Sequence, residues 1–203
     1  MKFVLYLGSK SPSRQFLLKE NLIPFTLIEQ DADEHACDWS LPLEQVVLSI
    51  SLHKMENLEM PHGKEGDVCF VLTADTLSQD IDGNIEGKPT DREDAARKIK
   101  KARSGSRLCS AFCLDKKRYS DGAWITIDRI HQASHAQYKF FVPDEWIERY
   151  LDNSIGLSCS NAIAIDQYGG QFLKEIQGSY TAVVGLSMFE LREALEKLGF
   201  YSQ

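Results

Sequence analysis

Short apolar runs alternating with helix-period stretches over 203 residues predict an α/β fold, a mixed twisted sheet with flanking helices. Two further observations support that expectation. Capping residues or prolines open the helical stretches, and no repeat, low-complexity linker or shift in composition marks a boundary, so residues 1–203 read as one domain. An apolar content of 43% is enough for a sizeable core at this length.

Residues 3–7 are a continuous apolar run closed by Gly8-Ser9, which predicts a buried strand. Pro12, the apolar Phe16, Leu17 and Leu18, and Asn21 then predict a helix with proline in its first turn. Strand, loop and helix together place Ser9, Ser11, Ser13 and Arg14 at a helix N-terminus, where free backbone N–H groups favour phosphate. From 41 to 58, Leu43, Val46, Val47, Ile50 and Met55 recur at helical spacing and carry Lys54 late in the helix. Residues 68–74 predict a second buried strand that delivers Asp75-Thr76 to the rim of the sheet. Asp82-Gly83 between Ile81 and Ile85 predicts a hairpin turn, with Gly87-Lys88-Pro89 just beyond it.

Thr90 and Glu93 suggest a capping box for a helix through Ala95, Ala96 and Ile99. Residues 108–114, 124–130 and 138–142 read as separate strands. Pro143-Asp144-Glu145 opens a helix bearing Trp146, Ile147, Tyr150 and Leu151. Short strands are expected at 162–165 and 171–176, and Ser187 with Glu190 should cap a last helix ending at Gly199.

Charge and cysteine content narrow the functional classes. A formal net charge of −7 opposes binding to a nucleic-acid polymer, although a few local cations could still hold a small anion. The 5 cysteines are odd in number and lack CxxC spacing, which suits reduced thiols in a soluble, cytoplasmic protein. The apolar run at 3–7 is too short for a membrane span or a signal core.

Three features converge on phosphate chemistry: the 8–14 loop and helix start, Asp75-Thr76, and Lys88. Each alone has a plainer reading, as a helix cap, a turn or a solvated loop cation. Taken in order, Leu7-Gly8-Ser9-Lys10-Ser11-Pro12-Ser13-Arg14, Asp33-Glu34, His53-Lys54, Ala74-Asp75-Thr76, Gly87-Lys88-Pro89, Ser104-Gly105 and Gly178-Ser179-Tyr180 through Val183-Val184-Gly185-Leu186 resemble the motifs of Maf nucleotide pyrophosphatases. The resemblance runs from about Phe3 to Gly199.

That resemblance implies a Maf/ITPase-like α/β fold with two lobes around a central cleft, usually as a homodimer. It implies hydrolysis of nucleoside triphosphates between the α and β phosphates, with Mg²⁺ or Mn²⁺. Carried over by position, Asp75 is the general base, Lys54 and Lys88 act in catalysis beside Ser9 and Arg14 at the triphosphate, and Glu34 with Asp75 holds the metal. Ser13, Thr76 and Asp166 fall at substrate-discriminating positions. A triphosphate reacts slowly with water until its charge is neutralised, so clustered cations and hard oxygen ligands are chemically apt.

The chain departs from the family pattern in several places. Ser13 stands where a first arginine is common. Cys159-Ser160-Asn161-Ala162 replaces an Ala-Gly pair, its cysteine resembling the subgroup that acts on 7-methyl-GTP. Asp166 stands where that subgroup has Glu and the dTTP/UTP subgroup Gln, whereas Thr76 matches the latter. Arg107 and Leu108 occupy the region of a frequent histidine. An acidic Asp166 could accept hydrogen bonds from a base amino group, which favours a purine or modified base.

Other features read as structural. His131 and His135 lack the pattern of a helical zinc pair and suit a solvated polar face. Cys109 and Cys113 suit small semi-buried apolar roles. Arg97, Lys98, Lys100, Lys101 and Arg103 suit the wet face of a helix. The alternative to an enzyme is a nucleotide-binding regulatory protein that has lost turnover, raised by Ser13 and Ser160-Asn161; a protein-interaction domain is a third.

Overall fold

The computed structural model describes residues 3–202. In chain order the elements are β1 (Val4–Leu7), α1 (Pro12–Glu20), β2 (Thr26–Leu27), α2 (Leu43–Glu56), β3 (Val68–Asp80), β4 (Ile85–Glu86), α3 (Arg92–Ala102), β5 (Ser106–Ser120), β6 (Ala123–Phe140), α4 (Ile147–Asn153), β7 (Leu173–Gly178), α5 (Tyr180–Val184) and α6 (Met188–Lys197). Short 3₁₀ turns fill several connections.

One mixed sheet of 7 strands runs β2-β1-β3-β5-β6-β7, with β4 paired to β3. The first three strands along that path are parallel, and the rest are antiparallel. The even residues Phe70, Leu72 and Ala74 of β3 pack with α1 and α6. The odd residues Cys69, Val71 and Leu77 pack beneath α2. This period-2 alternation makes a sandwich of helix, sheet and helix. A separate core joins α3, α4 and the 162–172 segment to the far end of β6, so apolar clusters lie at both ends of the long strands.

Several elements differ from their sequence reading. β3 does not end before Asp75: its ladder with β5 is continuous from Val68 to Asp80, putting Asp75 opposite Ala111 and Thr76 opposite Ser110. The expected strand at 124–130 and residues 138–140 of the one expected at 138–142 are parts of β6, which ends at Phe140, because β5 offers a partner along the polar stretch between them. Residues 162–165 form no strand; Asn161 and Ala162 both take a φ of 57°, which turns the chain instead. The N-cap of α3 is Asp91, whose carboxylate accepts from the Asp94 N–H, one residue beyond Thr90. Ser187 sits at the N-cap of α6 but makes no capping bond, and the Met188 N–H is satisfied by the Thr181 hydroxyl.

The basic cluster on α3 is a wet face only in part: Arg97 and Lys100 are exposed, but the others are drawn into ion pairs. Lys98 is buried on the Glu86 carboxylate, Lys101 holds the buried Asp80, and Arg97 reaches Asp94 and Glu86. These pairs tie α3 to the β3–β4 hairpin. His131 is likewise half-buried, its Nε2 within 2.9 Å of Ser51 Oγ and 3.0 Å of Leu48 O, so it fastens β6 to α2. Cys69, Cys109 and Cys113 are free and buried, and burial pushes each thiol up to about 12. No helix among the described residues is long and apolar enough to cross a membrane.

Candidate active site

A break in strand pairing creates the site. β1 pairs with β3 only from Cys69 to Leu72, where the Gly8 N–H closes the ladder on Leu72 O. On the same edge β4 pairs with β3 from Ser78 onward, Glu86 lying opposite Ser78 and Ile85 opposite Gln79. Between them, Thr73 to Leu77 is paired by β5 alone, leaving a gap of about 17 Å at the usual strand rise. Gly8 and Ser9 bend away at the carboxyl end of β1, where open α/β sheets form ligand crevices. Alternation then sends Asp75 toward α2 and Thr76 toward α1, so both helical layers contribute to one trough.

On the α2 side, Lys54 lies one helical turn beyond Ile50, and its ammonium is buried. Its Nζ is 2.7 Å from Asp75 Oδ1 and 2.8 Å from Glu34 Oε1. Glu34 arrives on a 3₁₀ turn capped by the Asp33 carboxylate. Burial would raise the Glu34 carboxyl, but Lys54, with Lys88 and Arg14 behind it, holds it below the ordinary carboxylate range. Asp75 Oδ2 is buried and has no hydrogen-bond partner among the described residues.

On the α1 side, Ser11 caps the helix by accepting the Arg14 N–H, and Arg14 is buried in the first turn. Its Nε donates to Gly185 O at 2.8 Å, Nη1 to Ser9 Oγ at 3.1 Å and Nη2 to Thr76 Oγ1 at 3.2 Å. Three of the guanidinium's five N–H groups are therefore spent on neutral acceptors. Burial lowers its pKa, against the pull of Asp75 and Glu34, so its charge acts mainly as a field behind the trough. Thr76 Oγ1 also meets Ser110 Oγ at 2.9 Å.

Lys88 is exposed on the segment after β4, and its charge bears on both Glu34 and Cys159. Asp166 is half-buried just before the 3₁₀ segment at 167–172, where its charge bears on Cys159 and Tyr180. Burial and then Asp166 push the Cys159 thiol up to about 12, while Lys88 and Arg14 oppose them. Ser9, Arg14 and Thr76 on one side and Glu34, Lys54 and Asp75 on the other thus meet at the gap, whereas Lys88 and Asp166 make no hydrogen bond or ion pair with them among the described residues and bear on the site only through their charge. Ser13 is buried one residue before Arg14, but no hydrogen bond among the described residues ties it to the charged groups.

Sequence reasoning missed two supports of this site. The Gly185 carbonyl, which orients Arg14, lies inside the Val183-Val184-Gly185-Leu186 motif but shows no chemistry as a residue type. The Lys98–Glu86 pair beneath the Lys88 segment was hidden by reading α3 as a solvated face. Two open cavities, of ≈ 530 and ≈ 650 Å³, both lie against Gln79 and Gly83 and contain none of these residues. The converging charge, rather than enclosure, marks the site.

Among the described residues no group of three or more His, Cys, Asp or Glu could hold a metal alone. Glu34 and Asp75 nevertheless fit a hard divalent cation. They offer only oxygen, and Asp75 Oδ2 is an open buried acceptor. Such a cation would need water or phosphate oxygens to complete its shell, as Mg²⁺ usually does.

Fold and geometry define an α/β protein whose buried acid–base groups meet at a gap in the sheet edge. The chain belongs to the Maf family: the family model described as "Maf-like protein" matches residues 4–198. It is 31% identical over 204 residues to the nucleoside triphosphate pyrophosphatase of Chlamydia pneumoniae, covering 98% of this chain and 95% of that one. It is 30% identical over 207 residues to the dTTP/UTP pyrophosphatase of Hydrogenovibrio crunogenus, covering both chains fully, at 100%. A dTTP/UTP pyrophosphatase of Caldicellulosiruptor saccharolyticus is 29% identical over 201 residues, covering 96% of this chain and 94% of its own.

Proposed function

We propose that this protein is a nucleoside triphosphate pyrophosphatase that cleaves the α–β phosphoanhydride to a nucleoside monophosphate and pyrophosphate. The observation that carries this reading is the Asp75 carboxylate, tethered at Oδ1 by Lys54 and open at Oδ2, in a trough backed by Arg14. The names of the relatives support the same reaction class.

Glu34 and Asp75 would hold a divalent cation, which neutralises phosphate charge and acidifies bound water. The chain's own residues do the remaining work. Lys54 fixes the Asp75 carboxylate so that Oδ2 can accept the proton of the attacking water. The oxygen of that water bonds to phosphorus as the bridging O–P bond breaks, and the leaving oxygen takes the electron pair. Lys88 meets the negative charge on the phosphate oxygens, with Arg14 adding its field from behind. Ser9 and Thr76, already holding Arg14, line the trough on the same side.

Substrate choice falls to the Asp166 side. A carboxylate there can accept from a base amino group or pair with a cationic methylated guanine, favouring a purine or modified base. The test is pyrophosphate release from a panel of ordinary and methylated nucleotides with Mg²⁺ or Mn²⁺. Wild type should turn over at least one, and Asp75→Asn should lose about 1,000-fold or more, as for removal of a general base. Full activity in that variant would remove Asp75 from the chemistry.

A further inference from the structure

The Ser160-Asn161 pair departs from the expected Ala-Gly, yet both residues are bonded into the support of Lys88. Asn161 takes φ 57° and ψ 17°, the left-handed backbone that glycine adopts freely and asparagine tolerates better than most side chains. Its backbone N–H donates to Gly87 O at 2.9 Å. Its buried side-chain Nδ2 donates to Tyr138 OH at 3.1 Å and Ser106 Oγ at 3.2 Å, fixing it to β5 and β6. Ser160 Oγ donates to Glu86 O at 2.6 Å and accepts from the Ser78 N–H at 3.1 Å.

Both carbonyls immediately before Lys88 are therefore held by the Ser160-Asn161 turn. Lys98 reinforces them, with Nζ on the Glu86 carboxylate and 3.3 Å from Gly87 O. On the other side Pro89 restricts the backbone through its fixed φ. Ser78 and Ser160 tie this assembly directly to β3, the strand that carries Asp75. Any shift of the Glu86-Gly87 backbone that precedes Lys88 relative to Asp75 strains these bonds.

We propose that Ser160 and Asn161 are positioning residues that set the Lys88 ammonium over the phosphates of the substrate. This deepens the reading of the site given above and rests on it. An exposed lysine on a mobile segment would lose backbone freedom on binding a polyanion. Holding that segment in advance removes part of the loss. The unusual pair supplies by side chain what Ala-Gly cannot: a hydroxyl on Glu86 O and an amide on the buried Tyr138 and Ser106.

A double-mutant cycle with the full chain tests this. Wild type, Ser160→Ala, Lys88→Ala and the double variant are compared in nucleotide turnover and in calorimetric binding of inorganic tripolyphosphate. With Lys88 present, Ser160→Ala should lower kcat/KM and tripolyphosphate affinity about fivefold, mostly through KM; without Lys88 the loss should be under about twofold. Ser160→Thr, which retains the hydroxyl, should recover most of the loss. Asn161→Gly, which keeps the left-handed backbone but removes the amide, should couple to Lys88 in the same way and serves if Ser160→Ala folds poorly. Equal losses in both Lys88 backgrounds would overturn the proposal. Coupled tripolyphosphate binding without turnover of any nucleotide would uphold it while removing the hydrolase reading, and a wild type that neither binds tripolyphosphate nor turns over any nucleotide would overturn both.

Discussion

Replacing Lys54 with Met removes a cation that touches both carboxylates of the trough while keeping much of the side-chain volume. Since its Nζ lies 2.7 Å from Asp75 and 2.8 Å from Glu34, those oxygens are no more than about 5.5 Å apart. At an effective dielectric of 20, two bare charges at that separation repel by about 3 kcal/mol. Breaking a buried pair by removing one partner costs about 3–5 kcal/mol; the Glu34 side chain is 43% exposed, so solvent screening favours the low end. Acid should relieve the defect. In wild type, Glu34 is held below its ordinary value, so its stabilising share is complete above that value and fades as pH falls through the folded one. The variant lacks that share, so its deficit in urea denaturation should be largest at pH 7 and shrink toward pH 4. A deficit unchanged across that range, or a variant as stable as wild type at pH 7, would refute the electrostatic account.

Lys88→Ala should reduce kcat/KM by about 10–100-fold, the worth of a charged hydrogen bond, while leaving the melting temperature within about 1 °C because the residue is exposed. A large fall in melting temperature with full activity would make Lys88 structural. Asp166→Gln should reorder the nucleotides by kcat/KM rather than lower all rates equally; an unchanged order would remove it from the specificity site. Asp115→Asn tests the fold away from the trough. Burial pushes Asp115 up, but Arg129 and Lys117 more than offset it and hold the carboxyl below its ordinary value. Its contribution is therefore present above that value and lost in acid. The variant should lose about 3 kcal/mol at pH 7, the low end for a buried pair because Arg129 is 33% exposed, and show a flatter acid limb in chemical denaturation. An acid limb as steep as that of wild type would contradict this.

Local signals were legible where the responsible contacts are local. The Ser11-Pro12 start of α1, the Asp82-Gly83 turn and the helical spacing of α2 are visible because each is written within a few residues. The lengths of β3, β5 and β6 were not. Polar residues such as Gln79, Gln132 and His135 are held in strands by their ladder partners, and those partners are remote in sequence. The same distinction divides the site. Asp75, Lys54 and Lys88 stand out by residue type and motif. The pairing gap that opens the trough, and the Gly185 carbonyl that aims Arg14, exist only in three dimensions.

Charge balance connects this geometry to the need for a cation. Arg14 and Lys54 formally cancel Glu34 and Asp75, and most of that cancellation is built in: Lys54 is committed to the two carboxylates, and Arg14 donates to neutral oxygens. The resting trough is therefore near neutral, which lets its buried groups coexist in a folded protein with a net charge of −7. A triphosphate adds several negative charges, and Lys88 alone is too small a counterweight. A divalent cation at Glu34 and Asp75 would change the balance in two ways. It would add positive charge, and by competing for Glu34 it would free one of the Lys54 N–H groups to turn toward phosphate while another stays on Asp75 Oδ1. Polyphosphate affinity should therefore rise steeply with Mg²⁺, and the rise should be largely lost in Glu34→Gln. Equally tight tripolyphosphate binding in EDTA and in Mg²⁺ would show that Arg14, Lys54 and Lys88 suffice without the cation.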